Sequence, residues 1–342
     1  MKTSFSALRH PPKRAAEGYD RPTRASGDAH VIVCNNSTPA GKIGGVAGNV
    51  TRGGDAPVHP PGTAGEVMLA AAGKASGENF PVALRVLPAR YRRRLMALYG
   101  YARLTDDMGD EARSDARPGL LDELEADVRR LYRPGACGPR LPAVRALVPV
   151  VAECGIPPGP FLDLIRANRQ DQVVTRYKDF EDLTAYCRLS ANPVGRIVLY
   201  IFGVASARRA RLSDSICTAL QIVEHLQDVA EDLRNGRVYL PLADMEEFGC
   251  DEADLAAQVT PARLRALISY EARRASSLLD EGAPLIATLR GPARLAVAGY
   301  VAGGRAALDA IGTCGGDVLR VTPRPAKRAL AGHLVRAYAE RR

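Results

Sequence analysis

Between residues 78 and 341 the sequence never sustains the period-two alternation of a half-buried strand, and no βαβ rhythm appears. Apolar residues recur instead at helical spacing, in segments punctuated by Pro and Gly. ENFPVALRVLP (78–88) reads as a short helix closed by Pro88, and 89–109 as the next. Pro118 opens 119–132, and 142–154 and 158–173 follow, separated by Gly155-Ile156-Pro157-Pro158. Asp179 is placed to cap 180–190, and Asn192-Pro193 starts 193–204. Ser213 or Asp214 is expected to cap a long helix reaching 233. Thr260-Pro261 opens 261–281, Gly291-Pro292 opens 292–311, and 324–341 is a basic amphipathic helix. The pattern predicts an all-α fold of about ten helices on one core, without internal repeats.

The hydrophobic share of 46% supports a sizeable core, but aromatics make up 5% and Trp is absent, so Leu, Val, Ile and Ala must fill it. Lys plus Arg exceed Asp plus Glu by 47 to 38. That balance suits an anionic partner: nucleic acid, an acidic membrane or a phosphorylated substrate. Interleaved basic and aromatic motifs are missing, which ranks nucleic acid last. Cys34, Cys137, Cys154, Cys187, Cys217, Cys250 and Cys314 are odd in number and never form Cys-x-x-Cys. They fit small buried residues of a reducing compartment better than disulfides or a zinc site.

Two stretches carry rows of acids. In QIVEHLQDVAEDLRNGRVYLP (221–241), Glu224, Asp228 and Asp232 recur every four residues, so one side of a helix projects all three. Asn235-Gly236 stops that helix, and Pro241 ends an extended exit. In LYGYARLTDDMGDE (98–111), Asp106 and Asp110 stand four apart with Tyr99 and Arg103 on their side and Leu95, Leu98 and Ala102 beside them. Two such helices facing each other suit hard divalent cations, since Mg²⁺ takes one or two carboxylates plus substrate phosphate oxygens. Spacing alone equally fits solvated helix faces. In 216–233 the acids lie nearly opposite the apolar stripe of Ile216, Leu220, Val223, Ala230 and Leu233.

Five ordered segments together resemble the squalene/phytoene synthase family: ENFPVALRVLP (78–88), YGYARLTDDMGDE (99–111), RQDQVVTRY (169–177), YCRLSANPVGRIVL (186–199) and LQDVAEDLRNGRVYLP (226–241). The likeness covers roughly residues 76–310. Within the family, Glu78-Asn79-Phe80-Pro81, Arg169-Gln170-Asp171, the run from Ser190 to Arg196, and Gln227-Asp228-Val229 are most similar to the hydroxysqualene synthases of bacterial hopanoid biosynthesis. Phytoene synthases usually carry Arg where Gln227 stands and Asn where Glu224 stands. Glu224 and His225 depart even from the hydroxysqualene subgroup, which leaves their roles open.

The resemblance implies a single-domain isoprenoid (terpenoid) synthase bundle around a central apolar cavity, with two Asp-rich helices facing across it. It implies ionisation of presqualene diphosphate, rearrangement of the cation and capture by water to give hydroxysqualene. Mg²⁺, or Mn²⁺ in its place, would be held by Asp106, Asp107, Asp110, Asp228 and Asp232, and no NADPH is expected. Asp106, Asp110, Asp228 and Asp232 would be catalytic, together with Tyr99 and Tyr177. Substrate contacts fall on Arg103, Arg176, Arg237, Asn79, Phe80, Ala191, Gly195, Gln227 and Tyr239. Asp171 would orient Arg or Tyr partners. Each has a plainer alternative: surface ion pairing for the arginines, core packing for the tyrosines, Ala191 and Gly195, and a solvated helix face for Asp171. Two rival readings stay open: head-to-head condensation of two prenyl diphosphates to presqualene diphosphate, squalene or phytoene, and a non-catalytic binding or assembly factor.

Residues 1–67 are rich in Gly, Pro, Ser and Arg and read as a disordered extension; GKIGGVAG (41–48) lacks the Lys-Ser/Thr that closes a phosphate loop. Met68 is a candidate true start. The family-like domain spans 68–323, and the tail helix fills 324–342. The longest apolar run, Ile197–Ala205, is far short of the roughly 20 residues of a membrane span. A cytoplasmic protein is expected, with peripheral contact to the inner membrane face through the tail. Its pathway partners would be a presqualene diphosphate synthase and a squalene-forming oxidase.

Overall fold

The computed structural model describes residues 87–133, 135, 137–320 and 322–339. The readings for 1–86, including the first predicted helix, Met68, Asn79 and Phe80, lie outside these residues. Among the described residues the structure is all helical, and its extended pairing is a single bridge between Arg176 and Val238. In chain order the helices are α1 (Ala89–Asp106), α2 (Arg117–Leu131), α3 (Pro142–Cys154), α4 (Gly159–Gln170), α5 (Phe180–Ser190) and α6 (Asn192–Ile201). Then come α7 (Ala207–Gln227), α8 (Val229–Arg234), α9 (Leu242–Glu247), α10 (Glu252–Leu255), α11 (Ala262–Gly282), α12 (Gly291–Thr313) and α13 (Lys327–Ala339).

Local chemistry explains most boundaries. Asp179 caps α5 by accepting the Asp182 N–H at 2.9 Å, as its position predicts. The cap of α7 is Ser206 rather than Ser213 or Asp214. Ser206 is extended and its hydroxyl accepts the Arg209 N–H at 3.3 Å, so the helix starts two turns earlier than expected. Ser213 is buried, and Asp214 pairs with Arg196 at 2.7 Å. Helices α9 and α10 are too short to show a period in sequence.

Helix α7 is the spine. Its Ile216 and Ala219 belong to an apolar cluster with α1–α4, α6 and the first half of α12. Its Ile222, Val223 and Leu226 belong to a second cluster with α5, α11 and Val238–Leu240. A helix buried on all sides has no solvent face for acids to occupy. Neighbours come close where glycine allows it: a Cβ on Gly195 of α6 would lie 2.5 Å from both Ser213 Oγ and Cys217 Sγ of α7. Gly195 is therefore a packing contact and leaves no space for substrate. Gly195→Leu should destabilise the fold by about 1–3 kcal/mol through overpacking, read as a lower urea midpoint.

Arg274 of α11 ties in α9, reaching Asp244 at 2.6 Å and Glu271 at 3.0 Å. Burial pushes the Glu271 carboxyl from its ordinary 4.5 up to about 8, against the pull of Arg274 and with help from Asp244. The folded state then holds a proton the unfolded chain has lost, so this group's contribution is full below pH 4.5 and declines as pH rises through about 8. Glu271→Gln should flatten that part of the stability–pH curve, as measured by urea melts at a series of pH values.

The tail helix α13 packs on α12, burying Leu330 and Ala337. Arg294 donates to the Tyr338 carbonyl at 2.6 Å and covers its ring. Among the described residues no helix is long and apolar enough to cross a membrane.

Candidate active site

Both acidic rows are buried. Asp106, Asp107, Glu224, Asp228 and Asp232 are each at most 8% exposed. The solvated reading suggested by their place opposite the apolar stripe does not hold, because the second half of α7, from Ile216 to Gln227, has no exposed residue. Arg237, five residues past Asp232, reaches Asp110 at 2.7 Å and so ties the exit of the second row to the first.

Neither row is a plain helix face. At Asp107 the first helix widens into a π-turn, Asp107–Glu111, closed by Ala112 N–H donating to the Asp107 carbonyl at 3.0 Å. Such insertions redirect side chains and are frequent at functional sites. Before the π-turn, Asp106 faces Asn168 of α4 (3.4 Å); at its first residue, Asp107 pairs with Arg103 (3.0 Å), and further within it Asp110 takes Arg237 (2.7 Å). The second row is interrupted as well. The long helix expected to reach 233 ends at Gln227, and Asp228 stands at the break with φ −109° and ψ 15°. Its carbonyl accepts the N–H groups of Glu231 and Asp232, both at 2.8 Å, and so starts α8.

The exit after α8 braces the two rows. Arg237 is buried; burial opposes its charge, but Asp110, Tyr239 and Asp171 outweigh that and hold the guanidinium ionised. Two residues on, Tyr239 stacks on His225 of α7, with centroids 3.6 Å apart and planes 9° apart. Tyr177 and Tyr186 pack on Tyr239, and the Tyr186 hydroxyl donates to Asp171 at 2.9 Å. Burial raises the Asp171 carboxyl above its ordinary range, with Arg237 and the Tyr186 bond opposing. A crevice opens here between His225, Val229, Asp232, Arg237, Tyr239 and Leu255.

The remaining sequence candidates divide. Tyr99 and Ala191 are buried, and Tyr177 and Tyr239 lie in the aromatic stack. Arg176 is turned to Glu252 (2.6 Å) and the Gly236 carbonyl (2.7 Å), so its guanidinium is spent on holding α10 and the exit. Gln227 donates to the Pro323 carbonyl, fixing the segment before α13. Sequence reasoning missed Asn168 and Gln221, which sit beside Asp106 and His225. Both are ordinary helical polar residues with no pattern to mark them.

The donor set fits a hard cation. Glu224 Oε1 is buried without a hydrogen-bond partner. Burial first, then Asp228, Asp232 and Asp106, raise the Glu224 carboxyl well above its usual range. So many buried carboxylates are unfavourable together unless cations share them. Among the described residues no three His, Cys, Asp or Glu stand together as a group that could hold a metal ion, let alone a closed cage. Mg²⁺ does not ask for one, completing its shell with water and phosphate oxygens.

An all-α bundle with two buried acidic stretches, tied together through Arg237 and Asp110, has the fold that solved isoprenoid synthases share. Comparison with known proteins narrows the class. The sequence profile described as squalene/phytoene synthase matches residues 74–330, and the chain belongs to that family. A hydroxysqualene synthase of Rhodopseudomonas palustris is 38% identical over 216 residues, 62% of this chain and 72% of that protein. A phytoene synthase of Mycobacterium tuberculosis is 31% identical over 217 residues, 62% and 70% of the two chains. Among solved structures, squalene synthase HpnC from Alicyclobacillus acidocaldarius superposes with a TM-score of 0.66 at 40% identity, over 73% of this chain and 94% of that one. A dehydrosqualene synthase reaches 0.70 at 23% identity, over 80% and 96%, a likeness of fold. Enzymes of the family bind prenyl diphosphates and use a divalent metal.

Proposed function

We propose that this protein is a hydroxysqualene synthase, converting presqualene diphosphate and water to hydroxysqualene and diphosphate. The observation that carries a diphosphate-ionising function is the pair of buried acidic rows, tied together where Arg237 meets Asp110 at 2.7 Å. The choice of product rests on the 34–38% identity to hydroxysqualene synthases and on Gln227.

Asp106, Asp107, Asp110, Asp228 and Asp232, joined by Glu224, would hold Mg²⁺ or Mn²⁺. The metal supplies charge neutralisation and Lewis acidity for the departing diphosphate. Arg103 and Arg237 pair with Asp107 and Asp110 and lend positive charge to the same region. The C–O bond breaks with its electron pair on diphosphate. The cyclopropylcarbinyl cation rearranges, a water oxygen forms the new C–O bond, and the released proton passes to diphosphate or solvent. No electrons are exchanged with a reductant, so NADPH has no part. The buried tyrosines and aliphatic side chains keep other nucleophiles from the cation.

In this reading a presqualene diphosphate synthase supplies the substrate, and an enzyme that replaces the hydroxyl by hydrogen, a two-electron reduction, consumes the product. The 31% identity to phytoene synthases supports a second reading, head-to-head condensation. Purified protein with Mg²⁺ and no NADPH, given presqualene diphosphate or farnesyl diphosphate separately, decides by product mass. Hydroxysqualene from the first alone is expected. Presqualene diphosphate or phytoene from a matching prenyl diphosphate would establish condensation, and silence from folded protein a non-catalytic role.

A further inference from the structure

His225 takes no part in the steps above, yet the site holds it on three sides. Its ring lies flat on Tyr239, which Tyr177 and Tyr186 hold in turn. With the plane fixed, the two ring nitrogens face different groups. Nε2 is 3.1 Å from the amide nitrogen of Gln221, one turn back on α7. Nδ1 is 3.6 Å from Oδ2 of Asp232 on α8, just beyond hydrogen-bond length.

These contacts fix the proton of a neutral ring. A carboxylate accepts only, so attraction to Asp232 requires hydrogen on Nδ1. An amide nitrogen donates only, so Gln221 requires a lone pair on Nε2. One tautomer meets both conditions. Reversing the Gln221 amide would demand hydrogen on Nε2 and turn the Nδ1 lone pair toward the carboxylate. The reversed amide is therefore the poorer arrangement.

The break at Asp228 gives this contact its purpose. Asp232 rides on α8, a separate six-residue helix beyond the break at Asp228. A link from His225 of α7 to Asp232 of α8 spans the break. We propose that His225 is a positioning residue: Gln221 holds it in the Nδ1–H tautomer, and Nδ1–H orients the Asp232 carboxylate for a divalent cation. This rests on the metal-dependent reading given above. Groups that orient a metal's carboxylate typically change its affinity by about 10–100-fold when removed.

The test titrates Mg²⁺ into protein with inorganic pyrophosphate by calorimetry, against a protein-free blank, alongside the Mg²⁺ dependence of turnover. His225→Phe keeps the stack on Tyr239 and removes Nδ1–H. It should weaken apparent Mg²⁺ affinity about tenfold, with a smaller loss of turnover at saturating Mg²⁺. Gln221→Leu should weaken it less, by freeing the tautomer, and His225→Asn should recover part of the loss. A lower melting temperature for His225→Phe with unchanged Mg²⁺ affinity would overturn the proposal. If Asp232→Asn weakens Mg²⁺ and His225→Phe does not, the metal reading stands and this one falls. If the unaltered protein fails to take up Mg²⁺ with pyrophosphate, both fall.

Discussion

Asp106→Asn and Asp228→Asn are each expected to lower diphosphate release from a prenyl diphosphate by about 10²–10³-fold, without lowering the melting temperature. Activity falls because each substitution removes a charge meant to share a cation with the leaving group. Stability does not fall because the acids crowd one another. Asp228, Asp232 and Asp106 all push the buried Glu224 carboxyl upward, so each is a source of repulsion in the metal-free protein. Removing one such charge relieves strain, and asparagine keeps the shape. Each kcal/mol relieved would raise the midpoint by about 2–4 °C in a chain of this size. Diphosphate release and thermal melts measure the two effects separately. A clear fall in melting temperature with activity retained would mean that these carboxylates serve packing. The same melts with Mg²⁺ and pyrophosphate should show stabilisation that both variants lose.

Arg237→Met should cost about 3–5 kcal/mol and most of the activity. The guanidinium is 7% exposed and lies 2.7 Å from Asp110, so its loss strands a carboxylate in a poorly solvated position. Asp110→Asn alone should cost less, because asparagine still accepts from Arg237 and the Asp171 charge remains beside the guanidinium. The double variant should recover part of the loss, since neither charge is then left without its partner. Urea melts of the four proteins measure the coupling. Additive losses would show that the pair does not brace the site. The functional loss follows from connectivity: Arg237 and Tyr239 lie two residues apart, one fastened to the first acidic row and the other to the second through His225.

Much of this was legible without coordinates. Prolines and caps such as Asp179 mark helix starts through local chemistry that a few residues contain in full. Absence of strand alternation determined the all-α class, and the ordered motifs determined the family. The acidic rows were visible as residues, but their surroundings were not. Asp228 was expected inside a helix and stands at a break; Asp106 and Asp110 were expected as a pair, but a π-turn begins between them, and they meet Asn168 and Arg237. Gln227, a candidate for substrate, bonds to a carbonyl 96 residues away. Arg176 and Arg237 looked alike in sequence, and one ended on Glu252 and the other between the acidic rows.

The sequence by itself determined that the chain is helical, where most of its longer helices start, and which residue types the site contains, because caps, prolines and periodicity act over a turn or two. Only the tertiary structure decided which acids are buried, which arginine meets them, and which ring nitrogen of His225 carries the proton. Those outcomes depend on helices distant in the chain closing around α7, and burial makes each pairing energetically decisive.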